Sequence, residues 1–146
     1  MDFGPQYCQS KMGLKQFRKG ADFEQEFANL LSQYGFWATV LPKQRDGSQP
    51  CDIIAQKYGK SYNFDCKTLE KLLFPLSRIE ENQEKAFTKL ALCGCHNNYF
   101  AIKDKIGTIY ICEAHNLIVF KQAGEKSISP RQWGCTLEEW IEQCVS

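Results

Sequence analysis

An α/β fold, with a mixed central sheet flanked by helices, is what this chain predicts, and three observations point to it. A long run of helical periodicity opens the sequence. A block of β-branched and aromatic residues broken by tight turns follows. A second helical run then gives way to another pair of strands. The order α-β-β-β-α-β-β with a short mixed tail is that of helices layered on a sheet. At 146 residues the chain has the length of one domain with a single real core, covering 1–146 with residues 1–10 as a loose N-terminal segment.

Each element has its own signal. From Lys11 to Tyr34 the pattern is helical, with Phe23, Phe27, Leu30, Leu31 and Tyr34 at three- and four-residue steps, as expected of a helix with one face in the core. Gly35 closes it, because Gly enters the left-handed region at a helix end without steric cost. Phe36 to Leu41 is β-branched and aromatic and reads as a strand, and the polar stretch Pro42 to Pro50 as a loop. Ile53-Ile54-Ala55-Gln56-Lys57-Tyr58 and Ser61-Tyr62-Asn63-Phe64 flank Gly59-Lys60. Gly first in a two-residue turn predicts a type II′ hairpin, here over residues 51–67. Ser77, with Glu80 three residues on and Pro75 just before, predicts a capping box and a helix to about Leu92. Tyr99 to Lys103 and Thr108 to Cys112 form a second hairpin. Thr136, with Glu139, caps a short helix ending near Cys144.

Composition narrows the class. A net charge of +1 and a pI near 7.5 give no global pull toward nucleic acid, and 43% hydrophobic with 24% charged residues is ordinary for a soluble protein. No apolar run approaches the roughly 18–20 residues that span a bilayer, and Met1-Asp2-Phe3-Gly4-Pro5 lacks a signal pattern, so a cytoplasmic protein without membrane contact is expected. The eight cysteines are scattered, which argues against a disulfide framework. Cys93-Gly94-Cys95-His96 is the one metal-like spacing, and no second pair completes a tetrahedral zinc site. Most of the cysteines read as small buried hydrophobes.

Chemistry concentrates in Asp52 and Asp65-Cys66-Lys67. If Tyr58 pairs with Ser61, Asp52 lies across from Lys67 and Ile54 across from Asp65. Strand side chains alternate with period two, so Asp52, Asp65 and Lys67 emerge on one face while Cys66 turns toward the core. Opposed Cβ atoms sit about 4.5–5.5 Å apart, close enough for two carboxylates and an ammonium to hold a hard cation and a water-derived nucleophile. The plainer reading is a cross-strand salt bridge from Asp52 to Lys67. Two helical residues favour the sharper one. Glu24 shares a stripe with Phe27 and Leu31 and so faces the protein, whereas Glu26 lies on the far side. Gln83 falls on the stripe with Ile79, Ala86 and Phe87. Polar groups aimed inward need partners.

Glu on a first helix, Asp at the start of one strand and (D/E)xK on the next resembles the PD-(D/E)xK nuclease superfamily. Within it the chain resembles the RecU-like Holliday junction resolvases of Gram-positive bacteria and their phages. The resemblance runs over roughly residues 18–130: Gly20-Ala21-Asp22-Phe23-Glu24, Cys51-Asp52-Ile53-Ile54, Phe64-Asp65-Cys66-Lys67-Thr68, Phe74-Pro75-Leu76, Ile79 with Gln83, and Lys126-Ser127-Ile128. It implies a restriction-endonuclease-like α-β-β-β-α-β core and a homodimeric, Mg²⁺-dependent endonuclease (Mn²⁺ substituting) acting on branched DNA in a bacterial or phage-infected cell. Asp52, Asp65 and the Cys66 backbone carbonyl, with Glu24, would serve the metal. Lys67 would position the nucleophile or stabilise the transition state, and Gln83 and Thr68 would lie behind them or contact phosphate. One departure is that the projecting stalk of those resolvases is replaced by the short loop Pro42 to Pro50.

A basic face can be read despite the neutral total. Lys11, Lys15 and Arg18 share one helical side with Lys19 beside them, Lys43 and Arg45 occupy the loop, and Lys126 lies near the C-terminus. A solvated surface is the simpler account of such charges, but an acidic metal site needs positive charge nearby to hold a phosphate backbone. Two other functions remain open at this level: a nuclease of the same fold acting on duplex, flap or single-stranded DNA, and a DNA-binding module without turnover.

Overall fold

In the computed structural model, which describes residues 19–144, the opening helical period forms α1, Lys19–Gln33. Its end is fixed as the sequence predicts. Gly35 has φ +90°, its N–H donates to Ser32 O at 3.0 Å, and Phe36 N–H donates to Leu31 O at 3.0 Å. This pair of bonds is the Schellman arrangement, and Leu31 and Phe36 close it in the core.

Strands β1 (Trp37–Val40), β2 (Ile53–Lys57) and β3 (Lys60–Thr68) follow. A two-residue strand β4 (Phe74–Pro75) and a 3₁₀ turn (Leu76–Arg78) lead into α2, Glu81–Leu92. Beyond it come β5 (Asn98–Lys103), β6 (Ile109–Glu113) and α3 (Ala114–Gln122). The tail adds β7 (Ser127–Ile128), α4 (Pro130–Trp133), β8 (Gly134–Thr136) and α5 (Leu137–Cys144). The main sheet runs β1-β2-β3-β5-β6-β8. Only β3 and β5 pair in parallel; the other neighbours are antiparallel. The expected mixed sheet is therefore present, and β4 pairs with β7 outside it.

Period-two alternation splits the core in two. Tyr62, Phe64 and Cys66 of β3 with Tyr99 and Ala101 of β5 point toward Phe23, Phe27 and Leu31 of α1 and Trp140 of α5. Phe100 and Ile102 of β5 point the other way, toward Phe87 of α2 and Leu117 and Ile118 of α3. Trp140 ties the first layer together, with ring contacts to Phe36, Tyr62, Phe64 and Tyr99 at 5.3–5.8 Å.

Three expectations are corrected. The hairpin turn is Tyr58-Gly59, with φ +53° and +74°, the two positive values that a type I′ turn requires; it is not Gly59-Lys60 in type II′. Lys57 therefore opposes Lys60, and Ile54 opposes Asn63 instead of Asp65. The N-cap of α2 is Glu80, with Gln83 as its reciprocal partner, while Ser77 lies in the preceding 3₁₀ turn. Helix α3, with β7, α4 and β8, was not expected. Leu117-Ile118-Val119-Phe120 is a continuous apolar run, which by pattern alone reads as readily as a buried strand.

Candidate active site

Asp52 sits where the β2–β3 ladder runs out. Its N–H donates to Phe64 O and its carbonyl accepts from Leu41 N–H, both at 2.9 Å. With β2 ended, Asp52 Oδ2 takes the next ladder position and accepts Cys66 N–H at 2.8 Å. The carboxylate thereby satisfies a backbone donor and is locked in place. Continuing the observed register one step puts Asp52 across from Asp65, not across from Lys67. The shift is two residues, so the parity of the strand is kept.

Asp65 and Lys67 share the face of β3 turned toward α2. Asp65 is 3% exposed. Lys67 Nζ lies 3.2 Å from Asp65 Oδ2 and 3.1 Å from Gln83 Oε1, and Gln83 Nε2 donates to Asp65 Oδ1 at 3.0 Å. Gln83 Oε1 also accepts Glu80 N–H at 2.9 Å, so one amide both caps α2 and fixes the spacing of the carboxylate and the ammonium. The inward-facing Gln83 has found the partners its position demands.

Glu24 approaches from α1, on the other side of the sheet, and is buried beside Asp52. Lys43, from the loop between β1 and β2, joins them. Its Nζ is 2.9 Å from Glu24 Oε2 and in direct contact with Asp52 Oδ1. Asn82 Nδ2 pins that loop to α2 by donating to Gly47 O at 3.1 Å. A polar cleft of about 220 Å³ lies here, bordered by Lys43, Gln49, Asp65 and Gln83. Lys43 was expected only as a phosphate contact; nothing in its spacing marks it as a member of the site.

The electrostatics follow from burial. Asp65 is pushed up to about 7 by its loss of water, with repulsion from Asp52 adding to this and the Lys67 ammonium opposing it. Glu24 is raised for the same first reason, then by Asp52, against the pull of Lys43. Burial alone would lower Lys43, but its hydrogen bonds to Asp52 and Glu24 outweigh that and hold it above the usual lysine value. The buried Cys66 thiol is raised well above its ordinary value, which makes it an inert core group facing away from the acids.

The remaining expected residues scatter. Glu26 is half-buried on the flank of α1 and pairs with Lys103 of β5 at 2.7 Å, so it is engaged elsewhere on the sheet. Thr68 ends β3, its carbonyl taking a hydrogen bond from Arg78. Arg45 is exposed in the loop, and Lys126 is exposed before β7, where its carbonyl accepts Leu76 N–H at 2.9 Å. Lys19 opens α1, while Lys11, Lys15 and Arg18 lie outside the described residues. Cys93, Cys95 and His96 are exposed, and among the described residues no three His, Cys, Asp or Glu side chains are placed as a ready metal-ligand set. At the acidic cluster an ammonium stands between two of the carboxylates.

Comparison with known proteins places the chain in a family. The chain is similar to the crossover junction endodeoxyribonuclease Hjc of Methanocaldococcus jannaschii, at 35% identity over 88 residues. That stretch is 60% of this chain and 61% of the relative, so the match spans less than two thirds of its length. Among solved structures, Hjc of Archaeoglobus fulgidus, a Holliday junction resolvase, superposes with a TM-score of 0.63 at 21% identity, over 82% of this chain and 98% of that one; this likeness concerns the fold. The model of the archaeal Holliday junction resolvase family, Hjc, matches residues 15–145. The nuclease superfamily inferred from the motifs stands, whereas the nearer resemblance to the resolvases of Gram-positive bacteria and their phages is corrected to an archaeal family. The chain belongs to the archaeal Holliday junction resolvase (Hjc) family.

Proposed function

We propose that this protein is a divalent-metal-dependent endodeoxyribonuclease that resolves four-way DNA junctions as a homodimer. The observation that carries the reading is the convergence of Glu24, Asp52, Asp65, Lys67 and Gln83 at one end of β2 and β3. Family membership supports it. A symmetric pair of nicks calls for one site per subunit in a C₂ dimer. No helix among the described residues is long and apolar enough to cross a membrane, and the cytoplasm is the compartment proposed.

The residues fit a hard cation. Asp65 Oδ2 is buried and makes no hydrogen bond among the described residues, and buried carboxylates crowd Lys43 and Lys67. Oxygen donors of this kind suit Mg²⁺ or Mn²⁺. Asp52 and Asp65, with the Cys66 carbonyl and Glu24, would hold the ion. When bound, it supplies charge neutralisation at the phosphate and acidifies a water.

The protein's own groups do the rest. Gln83 holds Lys67 beside Asp65, so the ammonium is aimed before substrate arrives and costs no reorganisation at the reacting phosphate. Lys67 then offsets the charge that grows on the phosphoryl oxygens. Glu24, buried beside Asp52, would also orient a water at that end of the site. Thr68, Arg45 and Lys126 are candidate contacts to the DNA backbone, with the basic residues Lys11, Lys15, Arg18 and Lys19, and such contacts position DNA without reading its sequence.

The test is cleavage of a mobile four-way junction beside linear duplex and flap DNA, with Mg²⁺ and with chelator. Paired nicks on the junction, lost with chelator, are expected. Equal cutting of duplex or flap would assign a general nuclease of this fold, and binding without cutting would assign a non-catalytic module.

A further inference from the structure

We propose that Lys43 is a built-in counter-ion that competes with the divalent cation for the acidic site and is released toward the DNA backbone when the cation enters. The proposal rests on the metal-dependent reading above. Lys43 Nζ lies between carboxylates brought by two different elements, 2.9 Å from Glu24 Oε2 and in contact with Asp52 Oδ1. Mg²⁺ and Ca²⁺ meet oxygen ligands at about 2.0–2.6 Å, so an ion ligated by Asp52 and Glu24 and the ammonium cannot share that space.

Three further features make the exchange feasible. The Glu24 and Asp52 side chains are 9% and 10% exposed, whereas that of Lys43 is 53% exposed. The acids therefore need a positive partner, and the lysine has open space to leave by. The loop backbone is independently held, by Asn82 on Gly47 O and by Gln49 Oε1, which accepts Gln44 N–H at 3.1 Å. Release is then a side-chain rotation, with no opening of the loop. Lys67 is placed differently. Its side chain is 11% exposed and is held by Gln83 and Asp65, so it stays. The two lysines divide the work: one remains at the reacting centre, the other exchanges a carboxylate pair for a phosphate. Released beside a cation-bound phosphate, Lys43 would make metal and DNA binding reinforce each other, and linkage requires the effect to be reciprocal.

Two measurements test this without cleavage. In the first, Mn²⁺ is titrated into wild type, Lys43→Met and Asp52→Asn without DNA, with folding checked by circular dichroism. At least fivefold tighter binding by Lys43→Met is expected, and unchanged or weaker binding by that folded variant overturns the proposal. In the second, wild type is labelled with an amine-acetylating reagent with and without saturating Mg²⁺, and Lys43 and Lys103 are read by mass spectrometry. Labelling of Lys43 should rise severalfold while Lys103, paired with Glu26, stays constant. Unchanged Lys43 labelling overturns the proposal even if Lys43→Met fails to fold. The metal reading fails separately: wild type without saturable Mn²⁺ binding, or Asp52→Asn binding like wild type, would remove the ion and not merely its competitor.

Discussion

The two halves of the acidic site are built in different ways. Asp65, Lys67 and Gln83 come from β3 and α2, lie in or near the core, and fix one another through contacts of 3.0–3.2 Å. Glu24, Asp52 and Lys43 come from α1, the start of β2 and a loop, and are joined through a single half-exposed ammonium. The first half has its geometry before any ligand arrives. The second has a cation that can be traded. In the proposed nuclease the first would meet the phosphate and the second would hold a replaceable charge where the metal enters.

The largest expected effects come from removing the carboxylate that each half brings to the proposed ion. Asp52→Asn and Asp65→Asn should each lower single-turnover junction cleavage by at least about a thousandfold, roughly 4 kcal/mol on the barrier. DNA binding should hold or strengthen, because a negative charge beside the backbone is gone. Cleavage within severalfold of wild type in either variant would detach that half from the chemistry.

The next test separates neighbours on α1. Glu24→Gln should slow cleavage at least tenfold, about 1.4 kcal/mol. Glu26→Gln, which loses only the partly exposed pair with Lys103, should be nearly silent in the same assay. Equal losses would mean that facing the sheet end confers nothing.

A stability measurement sharpens the contrast further. Asp65 is held up at about 7 chiefly by burial, so between its ordinary carboxylate range and that value the folded state binds more protons than the unfolded one. Stability contributed by the neutral carboxyl is present at low pH and is lost as pH rises through about 7. Asp65→Asn should therefore raise Tm by several degrees at pH 8, with the gain vanishing near pH 4. A lower Tm for the variant at pH 8 would show that the ion pair with Lys67 outweighs burial.

The smallest expected effect lies outside both halves. Replacing Lys11, Lys15 and Arg18 together with Ala should weaken binding to junction and duplex alike and make the slope of log K against log salt shallower by up to ~0.9 per lost contact. An unchanged slope on both DNAs would leave those residues as solvated surface.

The rigid half is legible in the sequence throughout, whereas in the other half Glu24 and Asp52 are legible and the place of Lys43 between them is not. Alternation in β3 and helical period in α2 place Asp65, Lys67 and Gln83 whatever the turn type, because a register error of two residues keeps every side chain on its face. The type I′ turn was hidden because it needs a positive φ at Tyr58, a conformation rarely adopted by such a residue. Glu80 gives no capping signal in the sequence, because its side chain is not among the favoured capping types. Lys43 is legible only as a basic loop residue: loops have no periodicity to aim a side chain, and this loop is pinned to α2 by Asn82 on Gly47, a contact 35 residues apart in the chain. Helix α3 carries no clear helical signal for a related reason, since the apolar Val119 is exposed beside buried Leu117 and Ile118 and blurs the polar face that would mark it.

That the two halves act as one centre is tested most directly by a double-mutant cycle. Single-turnover junction cleavage is measured for wild type, Glu24→Gln, Gln83→Leu and the double variant at saturating enzyme and Mg²⁺. Groups that serve one reacting centre are strongly non-additive. The combined loss should fall well short of the product of the single losses; a double variant whose loss equals that product would show two independent sites of action and contradict the convergence at the end of β2 and β3.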